Sequence, residues 1–250
     1  MEHYHCLNCN EPIRKNFCPN CGQKTDTQRI TFRHFVAHDL LHGVWHLERG
    51  ILFTAKEAIV RPGKASLDYI GGKRIRYYNV FYLSLILIGI AIIISHLGQS
   101  VQTQGDNAQS KEFIEFFSKN IKLIVLGIVP LMAINAWLLF RKMKLNFAEH
   151  IIAAGFAFLG VLVLVNMMLL YDYITGFGEY SITEYGLLLF VIAIFLFPTW
   201  AYANLTFKKF SFLGTFWRLV VFYLLLIVEI ITLTGIMIWL VTGSSELVIS

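Results

Sequence analysis

Four cysteines near the amino terminus form two closely spaced pairs, with two residues between the members of each pair. They are Cys6 with Cys9 and Cys18 with Cys21. This spacing lets a tight turn direct both thiolates at one metal ion, and two such pairs are typical of a structural zinc site. Because so short a segment cannot bury a hydrophobic core, a bound metal would supply its folding free energy. We therefore expect a zinc ribbon in residues 1–28, with all four cysteines as ligands.

Two other uses of these cysteines have to be weighed against zinc. Iron binds the same four thiolates, but nothing else in the sequence marks a redox partner. Disulfides need an oxidising compartment, whereas the charge pattern described below predicts that this segment is cytoplasmic. Zinc is therefore the cofactor that we favour, with iron as the alternative.

Four histidines follow at intervals of four residues, namely His34, His38, His42 and His46. On a helix, neighbouring members of this row would face each other, and two histidines at this spacing can bind a metal ion. The row drifts by about 40° around the helix at each step, so four rings cannot share one ion. We favour a polar helix face and keep a second metal site or a pH-sensing face as the alternative.

Glu229 lies near the middle of an apolar stretch. A charge buried in a membrane is costly, which makes this residue a functional candidate. Asn135 and Asn166 lie inside two other apolar stretches and are its expected partners. The three residues could form a proton- or ion-linked pathway. Alternatively, a neutral Glu229 could hydrogen bond to an asparagine and hold helices together.

The composition predicts the elements that must position these residues. Of the 250 residues, 56% are hydrophobic and 15% are charged, whereas soluble proteins are about 45–50% apolar and about 25% charged. This excludes an ordinary soluble enzyme and a disordered chain. We expect an all-α membrane protein in which five apolar stretches are long enough to cross a bilayer. They are 78–97, 121–140, 151–171, 185–203 and 217–241.

Positive charge alternates from loop to loop. The loops after the second and fourth stretches carry lysine and arginine. The loops after the first and third stretches, and the tail after the fifth, carry few or none. By the positive-inside rule, the amino terminus is then cytoplasmic and the carboxyl terminus lies outside. Five basic residues before the first stretch are expected to contact anionic lipid headgroups. They are Arg61, Lys64, Lys73, Arg74 and Arg76.

Residues 29–77 connect the ribbon to the five-helix domain, residues 78–250. Apolar residues recur there at intervals of three or four, from Phe32 to Ile59. This periodicity predicts one or two amphipathic helices, with Gly50 as a candidate break, followed by a basic juxtamembrane segment. The sequence Arg61-Pro62-Gly63 is expected to end the helix.

Several short motifs in residues 6–80 together resemble a known family. After the first C-x2-C pair come the motifs CxxCGQ (Cys18 to Gln23), Arg29-Ile30-Thr31, T-x6-RPG (Thr54 to Gly63), Tyr69-Ile70 and Gly72-Lys73-Arg74. They resemble the bacterial multi-pass membrane proteins grouped as domain of unknown function 3667. The resemblance implies a zinc-ribbon head on a membrane body and no particular activity. With the charge pattern, it predicts a location in the bacterial cytoplasmic (inner) membrane.

The sequence shows no pattern of catalytic residues. It contains no glycine-rich phosphate loop, no HExxH motif and no nucleophile elbow, and no nucleic-acid-binding motif accompanies its basic residues. We expect an adaptor, regulatory or scaffold protein whose ribbon recruits a protein partner or another copy of the chain, with membrane lipids around its body. One alternative is a small-solute, ion or lipid transporter or channel that uses Glu229. Another is a lipid-acting membrane enzyme that uses the histidine row.

Overall fold

The structure is a computed structural model that describes residues 5–13, 16–25, 29–31, 50–99, 127–175, 181–207 and 209–246. Within these ranges the chain is helical apart from the ribbon, which contains two isolated β-bridges, and the connecting loops. The α-helices are α1 (Ile51–Val60), α2 (Pro62–Ile70), α3 (Val80–Gln99), α4 (Gly127–Leu139), α5 (Phe147–Thr175), α6 (Ser181–Thr206) and α7 (Phe212–Glu246).

Four of these helices, α3, α5, α6 and α7, are long and apolar enough to cross a membrane. They confirm four of the five predicted spans. The second predicted span corresponds to α4, whose described part is shorter than a bilayer requires, and residues 121–126 lie outside the described residues. The fold is therefore compatible with a multi-pass membrane protein, and the count of five spans stays a prediction.

Helix α5 forms the centre of the bundle, with α3 and α6 packed along it. Small residues such as Ala153, Ala154 and Ala157 fill its buried first half and allow neighbouring helices to approach closely. A methyl group added to Gly155 would lie 3.3 Å from Val80 at the start of α3. The first two turns of α5 therefore extend beyond the point where α3 begins.

Helices α1 and α2 form a hairpin that packs against α5 and α6. The helix predicted to end at Arg61-Pro62-Gly63 does end there, at Val60, but a second helix begins immediately at Pro62. Proline suits the first turn of a helix because its missing N–H would have no partner there. The part of the predicted amphipathic helix that spans residues 32–49 lies outside the described residues, and so does the histidine row.

The packing of this hairpin requires glycine at two contacts. A Cβ atom on Gly63 of α2 would lie 2.2 Å from the backbone nitrogen of Leu205 in α6. A Cβ atom on Gly160 of α5 would lie 2.2 Å from the Phe197 ring and 2.9 Å from the carbonyl oxygen of Ala58. The hairpin is therefore in direct backbone contact with the spans.

Candidate metal centre and its docking site

The four predicted cysteine ligands form one compact cluster. The Sγ atoms of Cys6 and Cys21 are 3.6 Å apart, those of Cys9 and Cys18 are 3.5 Å apart, and all four lie within 4.8 Å of one another. A tetrahedral zinc site with Zn–S distances of about 2.3 Å places its sulfur atoms about 3.8 Å apart. The cluster therefore has the dimensions of a four-thiolate metal site and could hold a metal ion.

The two cysteine pairs belong to matching backbone turns. The residue after each pair, Asn10 or Gly22, has a left-handed conformation, with φ of 64° and 73°. Its N–H donates to the carbonyl of the first cysteine in its pair, at 2.8 and 2.9 Å. An antiparallel bridge joins the residues that flank each turn. The ribbon is thus a duplicated knuckle, in which Cys6 corresponds to Cys18 twelve residues later.

The pKa values of two of the thiols, Cys9 and Cys21, are shifted in opposite directions. Burial raises the pKa of Cys21, but hydrogen bonds from the Asn8 side chain and the Gln23 backbone outweigh this and bring it to about 6. A backbone hydrogen bond from Glu11 lowers the pKa of Cys9, yet burial and the neighbouring thiols raise it to about 12. Cys21 therefore forms a thiolate more readily than Cys9, and a bound cation would favour deprotonation of both.

The ribbon docks on the turn after α2. The side-chain amide of Gln23 donates a buried hydrogen bond to the carbonyl of Gly72 at 2.7 Å. Gly72 has φ of +102°, and a Cβ atom there would lie 2.6 Å from the Leu7 side chain. Arg76 donates to the side-chain oxygen of Asn8 at 3.1 Å. The ribbon is therefore held against the juxtamembrane turn.

A second attachment lies just after the ribbon. The Arg29 guanidinium donates two hydrogen bonds, at 2.8 and 2.9 Å, to the carboxylate of Glu149 in the first turn of α5. This pairing raises the pKa of Arg29. Asn146 donates to the carbonyl of Ile30 at 2.8 Å and also accepts a hydrogen bond from the Glu149 backbone N–H. The chain is thereby fixed to the end of α5 that projects beyond α3.

His150 follows Glu149 and is fully buried. Among the described residues, neither of its ring nitrogens has a hydrogen-bond partner. We assign it no role, because within the described part of the chain it belongs to no group of three or more metal-binding side chains.

The five basic residues expected at lipid headgroups have differing surroundings. Arg61 forms an ion pair with buried Glu57, and Lys73 pairs with Asp68 at 2.7 Å. Arg76 contacts the ribbon as described above. Lys64 is exposed at the start of α2, and Arg74 is largely enclosed. Sequence reasoning treated these residues as one group, but at least three of them hold the hairpin and ribbon in place.

Two of the three polar residues predicted inside the membrane meet. The Asn135 amide donates to a carboxylate oxygen of Glu229 at 2.8 Å and so connects α4 to α7. Asn166 is not part of this contact. Its amide donates to the carbonyls of Leu162 and Leu87, at 2.8 and 3.1 Å, and so connects α5 to α3.

Within the described ranges, the four cysteines are the one group of three or more metal-binding side chains close enough to share an ion. The second metal or pH-sensing site suggested for His34, His38, His42 and His46 falls outside those ranges. Sequence reasoning did not find the contacts of Gln23 and Arg29, although both residues lie in the short motifs described above. Compared with protein-family models, curated proteins and solved structures, the chain matches none.

Proposed function

We propose that this chain is a membrane-bound adaptor whose structural zinc ribbon is docked on the membrane body and recruits a cytoplasmic protein. The observation that carries the proposal is the unequal use of the two knuckles. Leu7 and Asn8 of the first knuckle contact the juxtamembrane turn. Their counterparts in the second knuckle, Pro19 and Asn20, are exposed, and so is Phe17, with 58% of its surface accessible.

An exposed aromatic ring beside a proline is a typical contact in protein interfaces, because it buries a large area with little loss of conformational freedom. The docked first knuckle holds the second at a fixed position above the membrane. A partner would therefore meet a preorganised surface, which lowers the entropic cost of binding.

Zinc is the metal that we propose for the cluster, since a closed set of four thiolates suits a structural ion. Visible absorption of the purified full-length protein tests this directly. A colourless protein with one equivalent of zinc supports the proposal, whereas the thiolate-to-iron absorption of a coloured protein would assign the site to iron.

Quantitative pull-down from bacterial membranes tests the adaptor function. Phe17→Ser should reduce recovery of the partner at least tenfold and leave the metal content unchanged. Phe207→Ser is a matched control, because Phe207 is also an exposed phenylalanine, with 82% of its surface accessible. Deleting residues 1–28 should give the same loss. If Phe17→Ser and the deletion recover the same proteins as the wild type and the Phe207→Ser control, the chain is not an adaptor of this kind.

We also propose that the chain belongs to the family described as domain of unknown function 3667 and lies in the bacterial cytoplasmic membrane with its ribbon in the cytoplasm. The contacts support this, since Gln23, Arg29, Thr54 and Gly63 of the family-like motifs all bind the membrane body or its juxtamembrane segment. Cysteine labelling from either side of sealed vesicles tests the orientation.

One observation favours a second candidate function, proton- or ion-linked transport. The Glu229 carboxylate is partly buried and has an amide donor on another helix, so a change in its charge would alter the contact between α4 and α7. Glu229→Gln should then abolish flux in reconstituted vesicles, and Glu229→Asp should retain part of it. Wild-type vesicles without flux would eliminate this candidate.

A further inference from the structure

We propose that the exposed side of the α1–α2 hairpin is a binding surface for anionic phospholipids of the adjacent membrane leaflet. We call this surface the hairpin face and define it by Leu52, Phe53, Lys56, Val60, Lys64 and Leu67, all of which are exposed. The proposal is independent of the adaptor function. It concerns the side of the α1–α2 hairpin that faces away from α5 and α6, whereas the adaptor function concerns the ribbon.

The members of the hairpin face lie on one side of each helix. At about 100° per residue, the four members in α1 fall within an arc of about 100°. Thr54, Glu57 and Ala58 lie outside that arc and are buried against the bundle. In α2, Lys64 and Leu67 are exposed while Pro62, Gly63 and Ala65 are buried. The hairpin is therefore amphipathic in an unusual sense, since its outer side is both apolar and cationic.

The charges of this segment are sorted by sign. Glu57 is 4% exposed and pairs with Arg61, and Asp68 pairs with Lys73. Among residues 50–76, every residue classed as exposed is apolar, lysine, arginine or glycine. The acidic side chains of this segment are neutralised within the fold, and among the described residues Lys56 and Lys64 form no ion pair with a carboxylate. This arrangement is complementary to an anionic surface.

The hairpin also lies at the level of the membrane boundary. Helix α3 has 20 residues, which span about 30 Å and match the hydrocarbon thickness, so its first residues mark that boundary. Just before α3, the Tyr78 N–H donates to the Thr54 hydroxyl at 2.8 Å. The indole N–H of Trp200 donates to the carbonyl of Ile59 at 3.3 Å, and tryptophan prefers the headgroup region.

Leu52 has 85% of its surface accessible, which is costly in water but favourable where headgroups meet acyl chains. Lys56 lies one turn further along the same side, and its long side chain can reach a phosphate while its methylene groups stay among the lipids. An apolar side chain that enters the membrane next to a cation is the pattern of interfacial helices. We therefore assign the surface to lipid.

The experiment uses the full-length, metal-loaded protein in nanodiscs of phosphatidylcholine alone or mixed with phosphatidylglycerol. Hydrogen exchange of residues 51–70 and the lipids retained in native mass spectra are the two measurements. We expect slower exchange and preferential retention of phosphatidylglycerol. The double variant Lys56→Gln/Lys64→Gln should lower that preference about 25-fold, because each cation near an anionic surface contributes about fivefold.

A matched control removes the same charge elsewhere. Lys24→Gln/Lys142→Gln changes two exposed lysines outside the hairpin and should keep the preference. Leu52→Gln should weaken retention of both lipids. Equal loss in the control and test variants would overturn the proposal, since it would indicate a response to net charge alone. Protection that appears only at high protein concentration would also overturn it and assign the face to a second copy of the chain.

Discussion

Gln23 connects the metal site to the membrane body through one buried hydrogen bond, to the carbonyl of Gly72. It immediately follows the second knuckle, so its position depends on the turn that the metal would hold closed. The equivalent residue after the first knuckle is Glu11, which is exposed. The duplication therefore supplies two similar turns, and Gln23 gives the second an attachment beside the contacts that Leu7 and Asn8 of the first make.

Gln23→Leu should detach the ribbon without emptying the metal site. The substitution leaves the buried Gly72 carbonyl without a donor, which costs about 1–3 kcal/mol. Hydrogen exchange should therefore accelerate in residues 71–78, while the metal content stays at the wild-type level. Asn20→Leu, which alters an exposed amide on the second knuckle, is the control. Unchanged exchange in the Gln23 variant would mean that the bond contributes little to docking.

Asn135 and Glu229 allow a second test at the scale of single residues. If their hydrogen bond holds α4 to α7, the two substitutions Asn135→Leu and Glu229→Leu should not be additive. Coupling energies between polar residues in membranes average about 0.6 kcal/mol and reach about 1.7 kcal/mol, so we expect a value in this range from unfolding in detergent. Additive effects would show that the contact is not energetically significant. A cycle of Asn166→Leu with Glu229→Leu, residues that do not meet, is the control.

At the scale of elements, the hairpin depends on glycine where backbones touch. Gly63→Ala places a methyl group 2.2 Å from the Leu205 nitrogen in α6, and backbone cannot move aside as a side chain can. We expect a loss of stability of about 1–3 kcal/mol, measured by thermal unfolding in detergent. Gly89→Ala in α3 is the control, because a Cβ atom there meets nothing within 4 Å. An equal response of both variants would contradict the proposed packing.

Elements of strong periodicity or great length could be predicted from the sequence, whereas their ends could not. The long apolar runs of α3, α5, α6 and α7 predict spans because no soluble core would need them. Helix α5 begins at Phe147, four residues before the predicted span of 151–171. Asn146 and Glu149 form the reciprocal capping contact of a helix start there. The sequence does not predict helix α2, because Pro62 suits the position after a helix end as well as the first turn of a new helix.

Contacts between distant segments were beyond sequence reasoning. Arg29 and Glu149 are 120 residues apart, and no periodicity relates an arginine in a linker to a carboxylate at a helix terminus. The cysteine cluster was predictable for the opposite reason, since four ligands within 16 residues can meet only in a few ways. The site was therefore accessible from the sequence, but its attachment to the body was not.

At the scale of the whole molecule, the ribbon, the juxtamembrane turn and the first turn of α5 form one connected unit at one end of the bundle. The amino-terminal segment is attached in two regions, the ribbon through Gln23 and Asn8 and the segment after it through Arg29 and Ile30. Only the ribbon contacts depend directly on the fold of the metal site. The two attachments should therefore respond differently when metal is removed, because the ion pair needs no metal whereas the knuckle does.

Chelation of the full-length protein should release the ribbon and leave the membrane body folded. We expect limited proteolysis to cut within residues 6–25 after metal removal, with the helical signal in circular dichroism nearly unchanged, since the spans retain their packing. Adding the metal back should restore resistance, and Arg29→Gln should make the chelated protein more sensitive still, because it weakens the remaining attachment. Global unfolding on chelation would contradict this two-point arrangement, and resistance that persists without metal would show that the ribbon folds by itself.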